Sequence, residues 1–171
     1  MSNRGVKPYS APPFGLLHRP GDKSVFTLDV PGYRQSRNYS CGYAAVLMVL
    51  RYFEKTFTGQ SIFDALGTAR TGTGQSAIVR VLRRAGVSAN VRYDMGFDRI
   101  VRSVSAGKVL VSYLVDEEHW VALYGYGESP SRIYVADPEP GKECEQEWPD
   151  YGERLGGFAI VCSGRSKRIA C

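Results

Sequence analysis

The sequence is poor in metal-ligating residues and has no segment apolar enough to cross a membrane. Its 171 residues include two histidines and four cysteines, and the cysteines stand at no CxxC or zinc-ribbon spacing. The apolar runs at 43–50 and 108–115 are far shorter than the roughly 18 residues of a membrane-spanning helix. These absences predict a soluble protein that uses no metal or other cofactor.

The N-terminal end also lacks the apolar stretch of a secretory signal. We therefore expect a cytoplasmic, reducing compartment, with export by a non-classical route left open. Residues 1–24 contain four of the nine prolines, which predicts an extended Pro-rich arm before a domain at 25–163 and a basic tail at 164–171. A disulfide between Cys144 and either Cys162 or Cys171 also stays open at this point.

Charge of either sign is not concentrated in one long stretch. The chain has 22 Lys and Arg against 17 Asp and Glu, a net charge of +5, and apart from 80–84 and the tail the basic residues are spread out. Nucleic-acid-binding proteins collect their basic residues into a patch or stripe. We therefore expect no nucleic-acid partner.

The patterns that are present predict helices first and strands second. Apolar residues on most sides of 41–53 predict a buried helix, and a second helix follows the Thr-Gly-Thr-Gly run at 71–74 and stops at Gly86. Strands are predicted at 87–93, 108–115, 119–126, 132–136 and 157–162, with a short helix at 97–104. This order predicts an α+β domain with an antiparallel sheet.

Cys41 is a candidate nucleophile because of its position. Asn38 and Ser40, residue types that cap helices, come just before it, so Cys41 lies in or next to the first helical turn. A helix N-terminus and a neighbouring imidazolium both lower the pKa of a thiol. His119 begins one predicted strand and Asp137 follows the next, so antiparallel pairing places them side by side. The three residues predict a nucleophile, a general base and acid, and an orienting carboxylate.

Gln35 is a candidate donor for the oxyanion that forms when a thiolate attacks a carbonyl. It lies six residues before Cys41, on a predicted polar loop. The backbone N–H of Cys41 has no intrahelical partner at a helix start, so it and the Gln35 amide could act together.

Four segments in this order carry a resemblance to a known family: VPGYRQSRNYSCGYAAVLMVL at 30–50, TGTGQSAIVRVLRRAG at 71–86, HWVALYGYG at 119–127 and RIYVADPEPG at 132–141. They resemble the papain-like cysteine peptidases of the bacteriocin-processing, C39-like type, which cleave leader peptides after a Gly-Gly pair. The resemblance implies a papain-like fold, in which a helical subdomain led by the Cys41 helix packs on an antiparallel sheet. It also implies that Cys41 is the nucleophile, His119 the base and acid, Asp137 the orienting residue and Gln35 the oxyanion donor.

The chain departs from the family pattern next to the cysteine. Ser40 and Tyr43 stand where the family commonly has an acidic residue and a proline. These positions leave the four site residues intact and concern the choice of substrate.

The predicted function is a thiol hydrolase that cleaves a peptide bond, of Gly-Gly type, through an acyl-enzyme. A glutamine deamidase or transglutaminase of effector or toxin type would use the same thioester, and a non-catalytic peptide-binding module would keep only the fold. The expected partners are a peptide or protein substrate and a separate transporter or inhibitor protein. Tyr39, Tyr43 and Trp120 flank the site residues in sequence and predict a narrow aromatic approach that admits glycine.

Overall fold

A computed structural model describes residues 25–139 and 145–165 of the chain and the backbone of residues 6–8. The predicted arm and tail lie largely outside these residues, as do His18, Cys144 and Cys171. The helices of the described part are α1 (Cys41–Tyr52), α2 (Gly59–Leu66), α3 (Gln75–Arg84), α4 (Phe97–Ser105) and α5 (Trp148–Arg154). Its strands are β1 (Val6–Pro8), β2 (Val25–Thr27), β3 (Tyr33–Gln35), β4 (Ser88–Tyr93), β5 (Val109–Leu114), β6 (His119–Glu128), β7 (Ser131–Ala136), β8 (Glu145–Glu147) and β9 (Leu155–Ser163).

One antiparallel sheet organises the molecule. Its strand order is β4-β9-β5-β6-β7-β8, and β2 pairs with the far end of β6. A separate pair is formed by β1 and β3. The α+β class, with helices packed on an antiparallel sheet, is predicted from the sequence and is confirmed.

Helix α1 is the centre of the core. All of its residues are buried except Arg51, whose guanidinium donates a hydrogen bond to the Tyr33 hydroxyl. A helix that is apolar on every side must be covered on every side, and α1 accordingly contacts β3, β6, α2 and α3. This packing holds Cys41, the first residue of α1, against the sheet.

The structure differs from the sequence prediction in two stretches. Gln35 does not lie on a loop but ends strand β3. The sequence analysis assigns no helix or strand to the polar, acidic stretch at 143–153, yet its described part forms β8 and α5. The reason for the second difference is a cross-strand partner, since β8 pairs with β7 and Glu145 forms an ion pair with Arg132. None of the described helices has the length and apolar character needed to span a bilayer.

Candidate active site

Three elements bring the predicted site residues to one end of the sheet. Cys41 is the first residue of α1, His119 is the first residue of β6, and Asp137 directly follows β7. Because β6 and β7 pair antiparallel, the start of β6 lies beside the end of β7. Helix α1 packs on β6, which carries its N-terminus to the same place.

The His119 ring is held by a buried hydrogen bond to Asp137. His119 Nε2 donates to Asp137 Oδ1 at 2.6 Å, and the two residues are only 5% and 7% exposed. The same carboxylate oxygen accepts the backbone N–H of Glu139 at 2.8 Å, which closes a turn around Pro138. The Asp-Pro pair in the sequence is the signal for this turn. The turn holds the carboxylate in the position in which it binds the His119 ring.

Cys41 lies beside the same ring, and the interaction of its thiol with the His119 side chain lowers the pKa of the thiol. Because Nε2 is engaged with Asp137, the ring nitrogen left to interact with the sulfur is Nδ1. The backbone N–H groups of Gly42 and Trp120 also donate to the sulfur. The sulfur therefore sits among three donors, an environment that suits a thiolate.

The electrostatics of the pair follow from these contacts. Burial by itself raises the pKa of the Cys41 thiol, but the hydrogen bonds and the charge of His119 outweigh it, and the pKa lies below its ordinary value. Burial lowers the pKa of the His119 imidazole, yet the hydrogen bonds and charges of Asp137 and Cys41 raise it to about 10. Both directions favour the same state, a thiolate beside an imidazolium.

Gln35 is joined to this site through the backbone. Its N–H donates to the carbonyl of Pro138 at 2.8 Å, so the end of β3 is fastened to the residue after Asp137. The side-chain oxygen Oε1 is buried and has no hydrogen-bond partner among the residues that the structure describes. A buried amide atom without a partner costs free energy in a resting protein, so this side chain is available to bind something else.

Sequence reasoning did not identify Thr73 as part of this site. A Cβ added to Gly42 would stand 2.8 Å from the Thr73 Cβ and 3.1 Å from Trp120 Cδ1, so only glycine fits at that contact. The indole of Trp120 donates to the Thr73 carbonyl at 2.8 Å, and the Thr73 hydroxyl bonds to that of Thr68. The loop before α3 therefore forms one wall of the site. In the sequence, the Cys-Gly pair at 41–42 and the Thr-Gly-Thr-Gly run at 71–74 are the features from which this contact could have been predicted.

The predicted aromatic approach is wrong for Tyr43. This side chain is fully buried, its hydroxyl donates to the Gly59 carbonyl, and its ring packs edge-on against Phe63. The helical rotation from Cys41 to Tyr43 turns the tyrosine towards α2 and away from the sulfur. Trp120 does border the site, and Tyr39 pairs with Arg37 on the preceding loop.

The remaining ligand-type side chains give no second nucleophile in the described part. Cys162 is a free thiol in β9, completely buried, and burial raises its pKa to about 12. His119, Asp137 and Glu139 offer ligand-type atoms within 4.8 Å of one another. His119 Nε2 and Asp137 Oδ1 already form the hydrogen bonds described above.

Several solved structures of peptidase domains have the same fold as this chain. A double glycine motif protease from an AMS/PCAT transporter, in complex with the leader peptide, is 20% identical at a TM-score of 0.67, over 81% of this chain and 94% of that one. A protein from Bacillus anthracis named as a C39-like peptidase is 15% identical at a TM-score of 0.68, over 85% and 100%. The peptidase domain of Streptococcus ComA, a bi-functional ABC transporter, is 16% identical at a TM-score of 0.62, over 77% and 96%.

Among curated proteins, none matches the sequence. The family model described as the Peptidase_C39 like family matches residues 27–154, which is three quarters of the chain. The matched range includes Cys41, His119 and Asp137. Its agreement with the structural neighbours confirms the resemblance found in the sequence. This chain therefore belongs to the Peptidase_C39 like family and is a cysteine peptidase-like hydrolase.

Proposed function

We propose that the protein cleaves a peptide bond after a Gly-Gly pair, with Cys41 as nucleophile, His119 as general acid and base, and Asp137 as the residue that orients the ring. The observation that carries the proposal is the buried His119 ring, whose Nε2 is bound to Asp137 at 2.6 Å and which also interacts with the Cys41 thiol and lowers its pKa. A nucleophile, a base and an orienting group in this arrangement are what acyl transfer requires.

The first half of the reaction forms the acyl-enzyme. The Cys41 thiolate attacks the scissile carbonyl carbon, a C–S bond forms, and the carbonyl electron pair moves onto oxygen. The oxyanion then collapses and the C–N bond breaks, while the His119 imidazolium gives its proton to the leaving amine. The products of this half are a thioester on Cys41, a free amine and a neutral His119.

The second half regenerates the enzyme. Neutral His119 takes a proton from water as the water oxygen attacks the thioester carbon. The C–S bond breaks, the peptide leaves as a carboxylic acid, and Cys41 is again a thiolate beside an imidazolium. Asp137 keeps its hydrogen bond to Nε2 throughout, so Nδ1 faces the reacting atoms in both halves.

Gln35 and the backbone N–H of Cys41 stabilise the oxyanion in this proposal. An oxyanion requires a donor, and a half-turn of the Gln35 amide exchanges its unpartnered Oε1 for Nε2. The N–H of Cys41 is free because it opens α1. The bond between the Gln35 N–H and the Pro138 carbonyl keeps both donors near the His119–Asp137 pair.

The proposed preference for glycine follows from the burial of the Cys41 side chain. Cys41 is 4% exposed, and Trp120 and Thr73 pack against the neighbouring Gly42. A carbonyl flanked by residues without side chains can reach such a sulfur, whereas a β-branched residue adds bulk at the approach. The structural neighbour from the AMS/PCAT transporter is named as a double glycine motif protease in complex with a leader peptide, which supports the same substrate class.

Intact-mass analysis of three competing peptides tests the proposal. Peptides with Gly-Gly, Ala-Gly and Leu-Val at the scissile position are mixed with the protein, and each product is weighed. We expect the Gly-Gly peptide to be cleaved about 10 to 200 times faster than Leu-Val, the range for one excluded side chain. Equal cleavage of all three would contradict the glycine preference. A gain of about one dalton in a glutamine-containing target, without cleavage, would identify a deamidase instead.

Matched cysteine variants make the assay specific for the proposed nucleophile. Cys41→Ala removes the thiol that binds His119 and should abolish cleavage. Cys162→Ala removes the buried thiol of β9 and should leave the cleavage rate within about twofold, because that thiol lies outside the site. Cleavage by Cys41→Ala at the wild-type rate would exclude the proposed mechanism.

A further inference from the structure

A second concave site, lined by basic side chains, lies between helix α4 and strand β4. It has a volume of about 270 Å³ and is lined by Arg92, Arg99, Arg102, Ser103 and Lys108. The cations come from three separate places in the fold, namely β4, α4 and the residue before β5. No acidic residue within the described ranges lines this cavity.

The cavity opens on the opposite face of the sheet from the nucleophile. Neighbouring strand residues point to opposite faces, so Arg92 and Tyr93 face different sides of β4. Tyr93 packs on Phe158 and Phe158 on Trp120, which contacts Gly42 of α1. Tyr93 therefore marks the face of the active site, and Arg92 marks the other face. The basic cavity is a separate site.

Most of these cations have no anionic partner among the residues that the structure describes. Arg99 donates to the Tyr93 carbonyl at 3.3 Å. Arg92, Arg102 and Lys108 make no side-chain hydrogen bond or ion pair with any residue that the structure describes, and neither does the Ser103 hydroxyl. Like charges held around one concavity repel each other. A bound anion would remove that repulsion.

We propose that this cavity binds a phosphoryl group. A phosphate monoester carries close to two negative charges and three acceptor oxygens, and arginine presents a planar fork of donors that matches it. Two arginines and a lysine that have no partner among the described residues line the cavity together with Ser103, and this set fits one compact dianion. A single carboxylate carries one charge, and an acidic peptide would require cations set in a line along a groove rather than converging from three elements.

Calorimetric titration at low ionic strength tests the site with three probes: inorganic phosphate, O-phosphoserine and AMP. We expect saturable binding to one site for phosphoryl-bearing probes, and the tightest of the three identifies whether the group comes free, on a peptide side chain or on a nucleotide. Arg102→Gln and Lys108→Gln should each weaken binding at least tenfold, and Arg102→Lys, which keeps the charge and loses the fork, should weaken it less.

Arg84→Gln is the matched control. It removes the same unit of charge from α3, beside Val91 on the other face of β4, and should change the affinity less than twofold. The substituted side chains lie at the surface, and thermal unfolding without ligand verifies that each variant folds. The proposal is overturned if none of the three probes binds saturably, or if Arg84→Gln weakens binding as much as Arg102→Gln. A peptide of Asp and Glu is titrated as a comparison, and tighter binding of this peptide than of phosphate also overturns the proposal.

Discussion

The chemistry of single residues in this protein depends on how its ionisable groups are paired. The Cys41 thiol and the His119 imidazole are both buried, and burial alone would favour their neutral forms. The hydrogen bonds between them, from Asp137 and from two backbone N–H groups reverse that preference. The predictions at this scale test the charge state of the pair and the group that maintains it.

Selective alkylation reports the thiolate. We expect iodoacetamide at about pH 6 to modify Cys41 well before the other three cysteines, because an ordinary thiol with a pKa of about 8.5 is almost fully protonated there. Cys162 should not react at all in the folded protein, since it is buried and its pKa is raised to about 12. Peptide mapping by mass spectrometry gives the modified positions. Equal rates at all four cysteines would rule out an activated Cys41.

The pH dependence of kcat/KM tests the sign of both shifts. The rate should rise with pH as Cys41 loses its proton, at a pH below the ordinary thiol value, and fall as His119 loses its proton near pH 10. Asp137→Asn removes the charge that raises the His119 pKa, so the alkaline limb should move to lower pH while some activity remains. Glu128→Gln is the control: it removes a carboxylate from the opposite end of β6 and should leave the alkaline limb in place.

The loss of activity expected when the proposed oxyanion donor, Gln35, is removed can be given a magnitude. Gln35→Ala should lower kcat by about 10² to 10³, equivalent to about 2.7 to 4 kcal/mol of transition-state stabilisation. Its free energy of unfolding should change little, because the bond that anchors β3 to Pro138 uses the Gln35 backbone. Urea denaturation beside steady-state kinetics separates the two effects. An unchanged kcat would remove Gln35 from the site.

At the scale of elements, the site depends on the close approach of α1 to the loop before α3. Gly42 has no room for a Cβ beside Thr73 and Trp120. The Trp120 indole is bonded to the Thr73 carbonyl, so the loop, the helix and β6 form a single contact. A change at this contact therefore acts on stability and on the sulfur's backbone donors together.

Gly42→Ala should destabilise the protein by about 1 to 3 kcal/mol, the usual cost of overpacking a well-filled site. The added methyl must displace Thr73 or Trp120, whose backbone N–H donates to Cys41, so kcat/KM should also fall. Gly74→Ala is the control from the same loop, because its added Cβ meets no atom within 4 Å. A fully active and stable Gly42→Ala protein would contradict the close contact.

At the scale of the whole molecule, arginines protect an edge of the sheet. Strand β4 ends the strand order and has β9 as its one partner among the described strands. An unprotected edge offers backbone groups to a second molecule. Arg83 donates to the Ala89 carbonyl at 2.9 Å and Arg99 to the Tyr93 carbonyl, so two of the edge carbonyls of β4 are covered.

Removing both arginines should expose this edge. We expect the double variant Arg83→Ala, Arg99→Ala to self-associate, measured as an increase in mass by light scattering during gel filtration as concentration rises. The control variant Arg80→Ala, Arg84→Ala removes the same charge from α3 without touching β4 carbonyls, and should behave as the wild type. Identical elution of both double variants and the wild type would contradict a protective role for the two arginines.

Local patterns in the sequence were sufficient for most of the fold. The burial of α1 follows from apolar residues on nearly all its sides. Helix α3 ends where the sequence predicts, because Gly86 follows it at a positive φ. The strands predicted at 87–93, 108–115, 119–126 and 132–136 match β4, β5, β6 and β7 within two residues at each end. The spacing of apolar residues is sufficient to predict these elements, because the residues that each element buries lie on one face of that element.

The catalytic candidates were also accessible from sequence, because histidine and cysteine are rare in this chain and the order of the candidates along it is specific. Cys41, His119 and Asp137 each stand at the end of a predicted element, and antiparallel pairing leaves few ways to arrange those ends. Their chemical roles rest on the proposal above.

Only the tertiary structure decided what depends on a distant partner. The strand around Gln35 exists through its pairing with β1 and its bond to Pro138, and β8 through its pairing with β7. Tyr43 is turned into the core by its neighbours on α2, and the basic cavity joins side chains from separate elements. Periodicity records how one segment buries its own residues. It carries no information about which remote backbone group or charge will lie beside them.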